Sequence, residues 1–313
     1  MRFYILAYIL FLSLTGIAQT GNPLLADPTV FYHKGTYYLY GTKGSNAIPG
    51  EGFLVYTSTD LKTWSGPAGK HDGYAFKKGD GYGDTGFWAP QVFEYNGKFY
   101  MAYTANEQIA IATSDSPLGP FKNDGKCLKS DVRQIDPFVF FDNGKIYLYH
   151  VRLDKGNRIF VAEMESDLSA IKPATLKECI HATKPWEDTE KVEWTVTEGP
   201  TVLKKNGLYY LIYSANDFRN KDYAVGYATS KNPYGPWDKE NNSPFIATKG
   251  LGYPGTGHGD VFYDKKGNMF YVFHTHFSDT EVSPRKTAIV PIILQNGVLK
   301  IKTDSSVTFP SLH

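Results

Sequence analysis

The chain has 313 residues and a formal net charge of +1, from 33 Lys+Arg against 32 Asp+Glu; it carries no basic stripe or block of the kind that grips nucleic acid. Aromatic residues make up 15% of it, with 23 Tyr and 20 Phe beside 30 Gly and 18 Pro. That composition suits many short strands joined by tight turns and argues against a helical bundle.

The chain opens on Arg2, an apolar run from Phe3 to Leu14, and then Thr15-Gly16-Ile17-Ala18. The run falls short of the ~20 apolar residues that span a bilayer, and small residues precede a cut after Ala18, so residues 1–18 read as a secretory signal peptide; an uncleaved anchor is the alternative. Loss of Arg2 would leave 32 basic and 32 acidic side chains. The reading predicts export, to the periplasm or outside the cell, no membrane insertion, and a single domain over residues 19–313, where no linker or low-complexity tract is visible. Cys127 and Cys179 are the only cysteines. Their spacing fits no zinc or redox motif, and a disulfide and two isolated thiols both stay open.

From residue 27 one phrase recurs five times: Asp27-Pro-Thr-Val-Phe-Tyr-His-Lys-Gly35, Ala89-Pro-Gln-Val-Phe-Glu-Tyr-Asn-Gly97, Asp136-Pro-Phe-Val-Phe-Phe-Asp-Asn-Gly144, Gly199-Pro-Thr-Val-Leu-Lys-Lys-Asn-Gly207 and His258-Gly-Asp-Val-Phe-Tyr-Asp-Lys-Lys-Gly267. Each copy reads as a strand and turn, followed by a second, Tyr-rich strand such as Tyr37-Tyr38-Leu39-Tyr40 or Tyr209-Tyr210-Leu211-Ile212-Tyr213, together a hairpin. A third strand follows in most copies, as in Ile109–Ser114, Ile159–Glu163 and Ala224–Ser230, and two of these run on into the similar phrases Ser-Pro-Leu-Gly-Pro-Phe121 and Asn-Pro-Tyr-Gly-Pro-Trp237. Intervals of 62, 47, 63 and 59 residues between first positions fit three or four short strands per unit. The spacing predicts an all-β fold, a five-bladed β-propeller.

The inner strand of every propeller blade lines the central channel, so the first positions predict a ring of Asp27, Ala89, Asp136, Gly199 and His258, with Trp88 and Glu198 one place before the second and fourth members. An Asp-Pro at a strand entrance can simply satisfy local N–H groups. Three acids converging with a His and a Trp instead mark a catalytic or ligand-contacting cluster, because unpaired acids are rarely buried and clustered ones have their pKa values driven apart. Glycosidic hydrolysis suits it: one protonated carboxyl at the leaving oxygen, one carboxylate on the opposite face, and a third acid to hold the proton in place.

With Ala-Asp27-Pro, Trp88-Ala-Pro, Ile-Asp136-Pro, Thr-Glu198-Gly-Pro and Gly-His258-Gly in this order, the sequence resembles glycoside hydrolase family 43, the five-bladed propellers that include α-L-arabinofuranosidases, β-xylosidases and arabinanases. The resemblance runs from Asn22 to near Lys302. It implies Asp27 as general base, Glu198 as general acid, and Asp136 as the residue that tunes and orients the acid. It also implies inversion of anomeric configuration, with base and acid about 6.5–9.5 Å apart. His258 resembles an axial histidine that in many members contacts a channel calcium ion; a hydrogen-bonded His with no ion is the alternative. Trp88 and Arg285 resemble substrate contacts, the first a flat face for the sugar and the second near the base.

His274 and His276 read as structural or pocket-lining, and Asp84 and Asp260 as runner-up acids. The expected activity is that of an inverting exo-glycosidase that removes terminal pentofuranose, of α-L-arabinofuranosidase type, from plant polysaccharide or its oligosaccharides, as a monomer. The alternatives are β-xylosidase, endo-arabinanase or galactofuranosidase activity on the same scaffold, and, from another class, a non-catalytic sugar-binding propeller.

Overall fold

A computed structural model describes residues 21–45 and 48–313; the signal peptide read over 1–18 lies outside them. The five copies of the phrase form the inner strands of five antiparallel sheets arranged as a five-bladed propeller. Blade 1 comprises Ala26–His33, Thr36–Thr42 and Tyr56–Ser58, and blade 2 comprises Trp88–Tyr95, Lys98–Ala105 and Gln108–Ser114. Blade 3 comprises Gln134–Asp142, Lys145–Leu153, Asn157–Glu163 and Lys177–Ile180, and blade 4 Thr197–Lys205, Leu208–Ala215, Ala224–Ser230 and Asp238–Lys239. Blade 5 comprises Gly257–Tyr263, Met269–Thr275, Lys286–Gln295 and Val298–Ile301. Among the described residues no helix is long and apolar enough to cross a membrane.

The first hairpin turn follows from its sequence. Lys34-Gly35, Asn96-Gly97, Asn143-Gly144 and Asn206-Gly207 all take positive φ at both residues, 46° and 88° in the first and 53° and 77° in the last. This is the two-residue turn whose twist matches that of the strands, and Asn and Gly tolerate it best. Blade 5 uses a turn one residue longer, as its extra Lys predicts.

Side chains that alternate along each second strand serve two neighbours. Tyr37 and Leu39 pack with Phe262 and Val272 of blade 5, while Tyr38 and Tyr40 pack with Val92 and Met101 of blade 2. Five apolar clusters among the described residues fill the five blade-to-blade interfaces in this way. The buried Tyr hydroxyls need acceptors. Tyr40 donates to the carbonyl of Pro117 and Tyr149 to that of Pro233, which explains the repeated Ser-Pro-Leu-Gly-Pro and Asn-Pro-Tyr-Gly-Pro phrases: each receives the tyrosine of the preceding blade. Cys127 and Cys179 are free thiols packed into different interfaces, between blades 1 and 2 and between blades 3 and 4, so of the two readings left open the isolated thiols hold.

Both ends of the described chain meet at blade 1. Ser311–Leu312 pairs in parallel with Thr63–Trp64, and Leu312 donates to the carbonyl of Gly21. Asn22 spans the seam, donating to the carbonyls of Thr287 (2.9 Å) and Pro310 (3.2 Å) and accepting from the N–H of Thr287 (3.1 Å). Because Ala would leave these partly buried groups unpaired, Asn22→Ala is expected to cost about 1–3 kcal/mol, read as a lowered denaturant midpoint at unchanged slope.

Candidate active site

At the entrance of each inner strand the first residue of the phrase takes left-handed backbone, with φ of 46° at Asp27, 47° at Ala89, 55° at Asp136, 59° at Gly199 and 40° at His258. The pairing register slips at the same place in all five blades. Such a bulge lifts a side chain out of the strand's alternation, and here it aims the ring residues at the channel. Proline follows in four blades, where the interrupted ladder needs no N–H. The fifth blade has Gly259, at which a Cβ would lie 1.7 Å from the carbonyl oxygen of Val272.

The ring N–H groups are held by the preceding blade. Ala89 donates to Thr42 Oγ1 (2.9 Å), Asp136 to Thr104 Oγ1 (2.9 Å), His258 to Ser214 Oγ (2.7 Å) and Asp27 to His274 Nδ1 (3.1 Å). Each acceptor stands on a second strand opposite the residue just before the ring position. The equivalent residue of blade 3 is Val151, opposite Ile135, which has no acceptor. The N–H of Gly199 instead donates to Asp136 Oδ2 at 3.2 Å. One apolar residue in the latch therefore gives the Asp136 carboxyl a backbone donor.

Asp27 is held from both sides, Oδ1 accepting from Arg285 Nη1 (3.0 Å) and Oδ2 from Thr42 Oγ1 (2.6 Å). Burial alone would raise its pKa, but Arg285 foremost, then His258 and His274, hold it well below the ordinary carboxylate range. Arg285 lies 4.6 Å over the ring of Phe218, whose carbonyl accepts from His276 Nε2 (2.8 Å). His274 and His276 are thus supports, the first for Asp27 and the second for the Arg285 platform.

Glu198 accepts from the Tyr223 hydroxyl at Oε1 (2.7 Å) and from Asn157 Nδ2 at Oε2 (3.0 Å). Burial raises its pKa to about 7; the charges of Asp27 and Asp217 add to this, and the two donors oppose it. Burial, then the charges of Glu198 and Asp27, also raise Asp136 well above its usual value. Tyr223 links acid to base: its ring stacks on His274, centroids 5.6 Å apart. The stack fits because residue 257 is Gly, where a Cβ would come within 2.2 Å of the tyrosine ring.

A pocket of about 270 Å³ gathers all six residues named from the sequence: Asp27, Trp88, Asp136, Glu198, His258 and Arg285. Trp88 packs over Gly86 and stays 38% exposed. The runner-up acids lie elsewhere. Asp84 is exposed beside Lys78. Asp260 is half-buried lower in the channel, accepting from Thr29 Oγ1 at 2.6 Å, and desolvation of its carboxyl raises it to about 6. A larger groove of about 400 Å³ between blades 4 and 5, lined by Leu203, Tyr263 and Ile293, contains no acid.

Sequence reasoning missed Thr42, Tyr223, Asn157 and Phe218. A signal for the first existed: Thr42, Thr104 and Ser214 each stand fifteen places after a ring position, and His274 sixteen after in the blade with the longer turn.

His258 Nδ1 lies 3.4 Å from Asp27 Oδ1 and 3.9 Å from Asp136 Oδ2, and burial, with Arg285 nearby, favours the neutral ring. Calcium takes six to eight oxygen ligands. Among the described residues no three acid, His or Cys side chains converge to hold a metal. The channel cavity at His258 is about 20 Å³, room for about one water. These side chains alone do not form a calcium cage.

The sequence profile of "Glycosyl hydrolases family 43" matches residues 20–299. A β-D-galactofuranosidase of Aspergillus niger is 25% identical over 300 residues, covering 88% of this chain and 82% of that protein. A xylosidase/arabinosidase of Butyrivibrio fibrisolvens is 27% identical, covering 80% of this chain but only 50% of its own length. A crystal structure described as an endo-1,4-β-xylanase from Bacteroides thetaiotaomicron superposes with a TM-score of 0.85 at 43% identity, covering 94% of this chain and 99% of that one. With the profile matched across nearly the whole propeller, the chain belongs to glycosyl hydrolase family 43 and is a glycoside hydrolase.

Proposed function

We propose that the chain is an inverting exo-glycosidase that removes a terminal pentofuranose from plant polysaccharide or its oligosaccharides. The observation that carries this reading is the opposed bias of two acids across one pocket: Asp27 held ionised by Arg285, and Glu198 held protonated up to about pH 7 by burial. The pocket's volume of about 270 Å³ lies just below the range of drug-sized ligand sites, about 300–1,000 Å³, and suits one sugar. Trp88 offers that sugar an apolar face.

In this scheme Asp27 takes a proton from water as the water attacks the anomeric carbon, and Glu198 gives its proton to the departing glycosidic oxygen. Tyr223 and Asn157 then stabilise the carboxylate left on Glu198, because both donate to the charged form. Asp136, oriented by the Gly199 N–H, keeps the acid pair from losing its last proton at neutral pH. Solvent exchange restores both acids. A binding propeller would need platforms and hydrogen bonds but no acid poised near neutrality.

Action on xylan-derived chains is a second reading, favoured by the 43% identity to the structure described as a xylanase. A panel of aryl pentosides and oligosaccharides separates the two; turnover of none of them by pure protein would remove the enzymatic reading. Export and a monomeric state belong to the same proposal; metal content after dialysis of wild type and His258→Ala checks whether the channel holds an ion.

The pH profile provides a further test. Asp27 must be ionised and Glu198 protonated, so kcat/KM should fall with rising pH through about 7 and fall on the acid side only below the usual carboxylate range. Arg285→Ala removes the largest cause lowering Asp27. Its pKa then rises, and the acid limb should move to higher pH, with Arg285→Lys moving it less.

A further inference from the structure

We propose that Trp194 is the platform for the leaving-group sugar, a subsite just outside the pocket, and that Asn157 ties this platform to Glu198; the proposal rests on the hydrolase reading above. Trp194 is 46% exposed, so nearly half of its surface contributes nothing to a core. Its one polar atom is nevertheless fixed: the indole N–H donates to Asn157 Oδ1 at 2.9 Å. The other end of the same amide donates to Glu198 Oε2 at 3.0 Å. Backbone pairing locks the arrangement, since the N–H of Asn157 donates to the carbonyl of Thr195, next to Trp194, at 2.9 Å.

The exposed indole is therefore held two hydrogen bonds from the acid. Asn157 and Val196 line the pocket and Trp194 does not, so the indole stands beyond the rim on the Glu198 side. In an inverting glycosidase the acid stands at the glycosidic oxygen, opposite the water and its base. The sugar that leaves must therefore lie past Glu198 and away from Asp27, where Trp194 is. An aromatic ring with its polar atom satisfied and a face in water is suited to the apolar face of a sugar. Trp88 inside the pocket and Trp194 outside it then give one platform for each sugar flanking the scissile bond. Binding at Trp194 would also steady Asn157 and, through it, the acid, so part of this remote contact would reach the transition state.

The test compares kcat/KM for a trisaccharide, whose leaving group is a sugar, with kcat/KM for the methyl glycoside of the same terminal pentose, whose leaving group cannot reach Trp194. Trp194→Ala is expected to lower the trisaccharide-to-methyl ratio about tenfold, and Trp194→Phe, which keeps a flat face without the N–H, to hold it within about threefold of wild type. An unchanged ratio in Trp194→Ala, with wild type active, overturns the subsite and leaves the hydrolase reading intact. Equal loss of the ratio in both variants overturns the platform in favour of the N–H contact alone. Failure of wild type on both substrates, and on the panel above, overturns the hydrolase reading and the subsite with it.

Discussion

Glu198→Gln is expected to lower kcat/KM by about 10³-fold on oligosaccharides and far less on aryl glycosides with acidic phenols. General acid catalysis contributes about 10²–10⁴-fold when the leaving group needs a proton, and a nitrophenol leaves without one. The variant should fold. Tyr223 and Asn157 now donate to the two carboxylate oxygens; a glutamine can turn its oxygen to Asn157 and its N–H to the phenol oxygen, which accepts as readily as it donates. The alkaline limb of the pH profile should disappear with the group that titrates there. Steady-state kinetics on leaving groups of graded acidity measure both effects, and equal loss on every substrate would show that Glu198 acts otherwise.

Asp27→Asn should behave differently. Water must be activated whatever leaves, so the loss, about 10³–10⁴-fold, should be the same for oligosaccharides and activated aryl glycosides. The amide can still accept from Arg285, and its N–H can meet Thr42 Oγ1, whose present bond to Asp27 is 2.6 Å; a melting temperature near that of wild type is expected. A loss that shrank with better leaving groups would assign the proton-donating role to Asp27 instead, reversing the two acids.

How much of this was legible in the sequence depended on repetition. The ring positions recur in one phrase because every blade needs the same bulge and the same hairpin turn, so Asp27, Asp136 and His258 could be aligned before any coordinates existed. Glu198 followed as the neighbour of Gly199. The latch residues Thr42, Thr104 and Ser214 were harder to see: a hydroxyl at a strand's end resembles any other strand residue until the pairing shows that it faces the next blade. The exception at Val151 could not be read at all, because its meaning is the donor it leaves free for Asp136. Asn157, Tyr223, Phe218 and Trp194 sit beside irregular connections between or within blades, which share no phrase, and only tertiary packing brings them to the acid and to Arg285. Asp84 shows the converse: closeness in sequence to a ring motif did not put it in the pocket, because it lies on the connection before the strand Trp88–Tyr95 and its side chain stays in solvent.

The most direct check on Asp27 as base and Glu198 as acid is the configuration of the first product. Proton NMR during the opening minutes of turnover, before mutarotation, should show the released sugar with the anomeric configuration opposite to that of the substrate. Release with retained configuration would require a covalent sugar–enzyme intermediate and would contradict the direct attack of water proposed for Asp27 and Glu198.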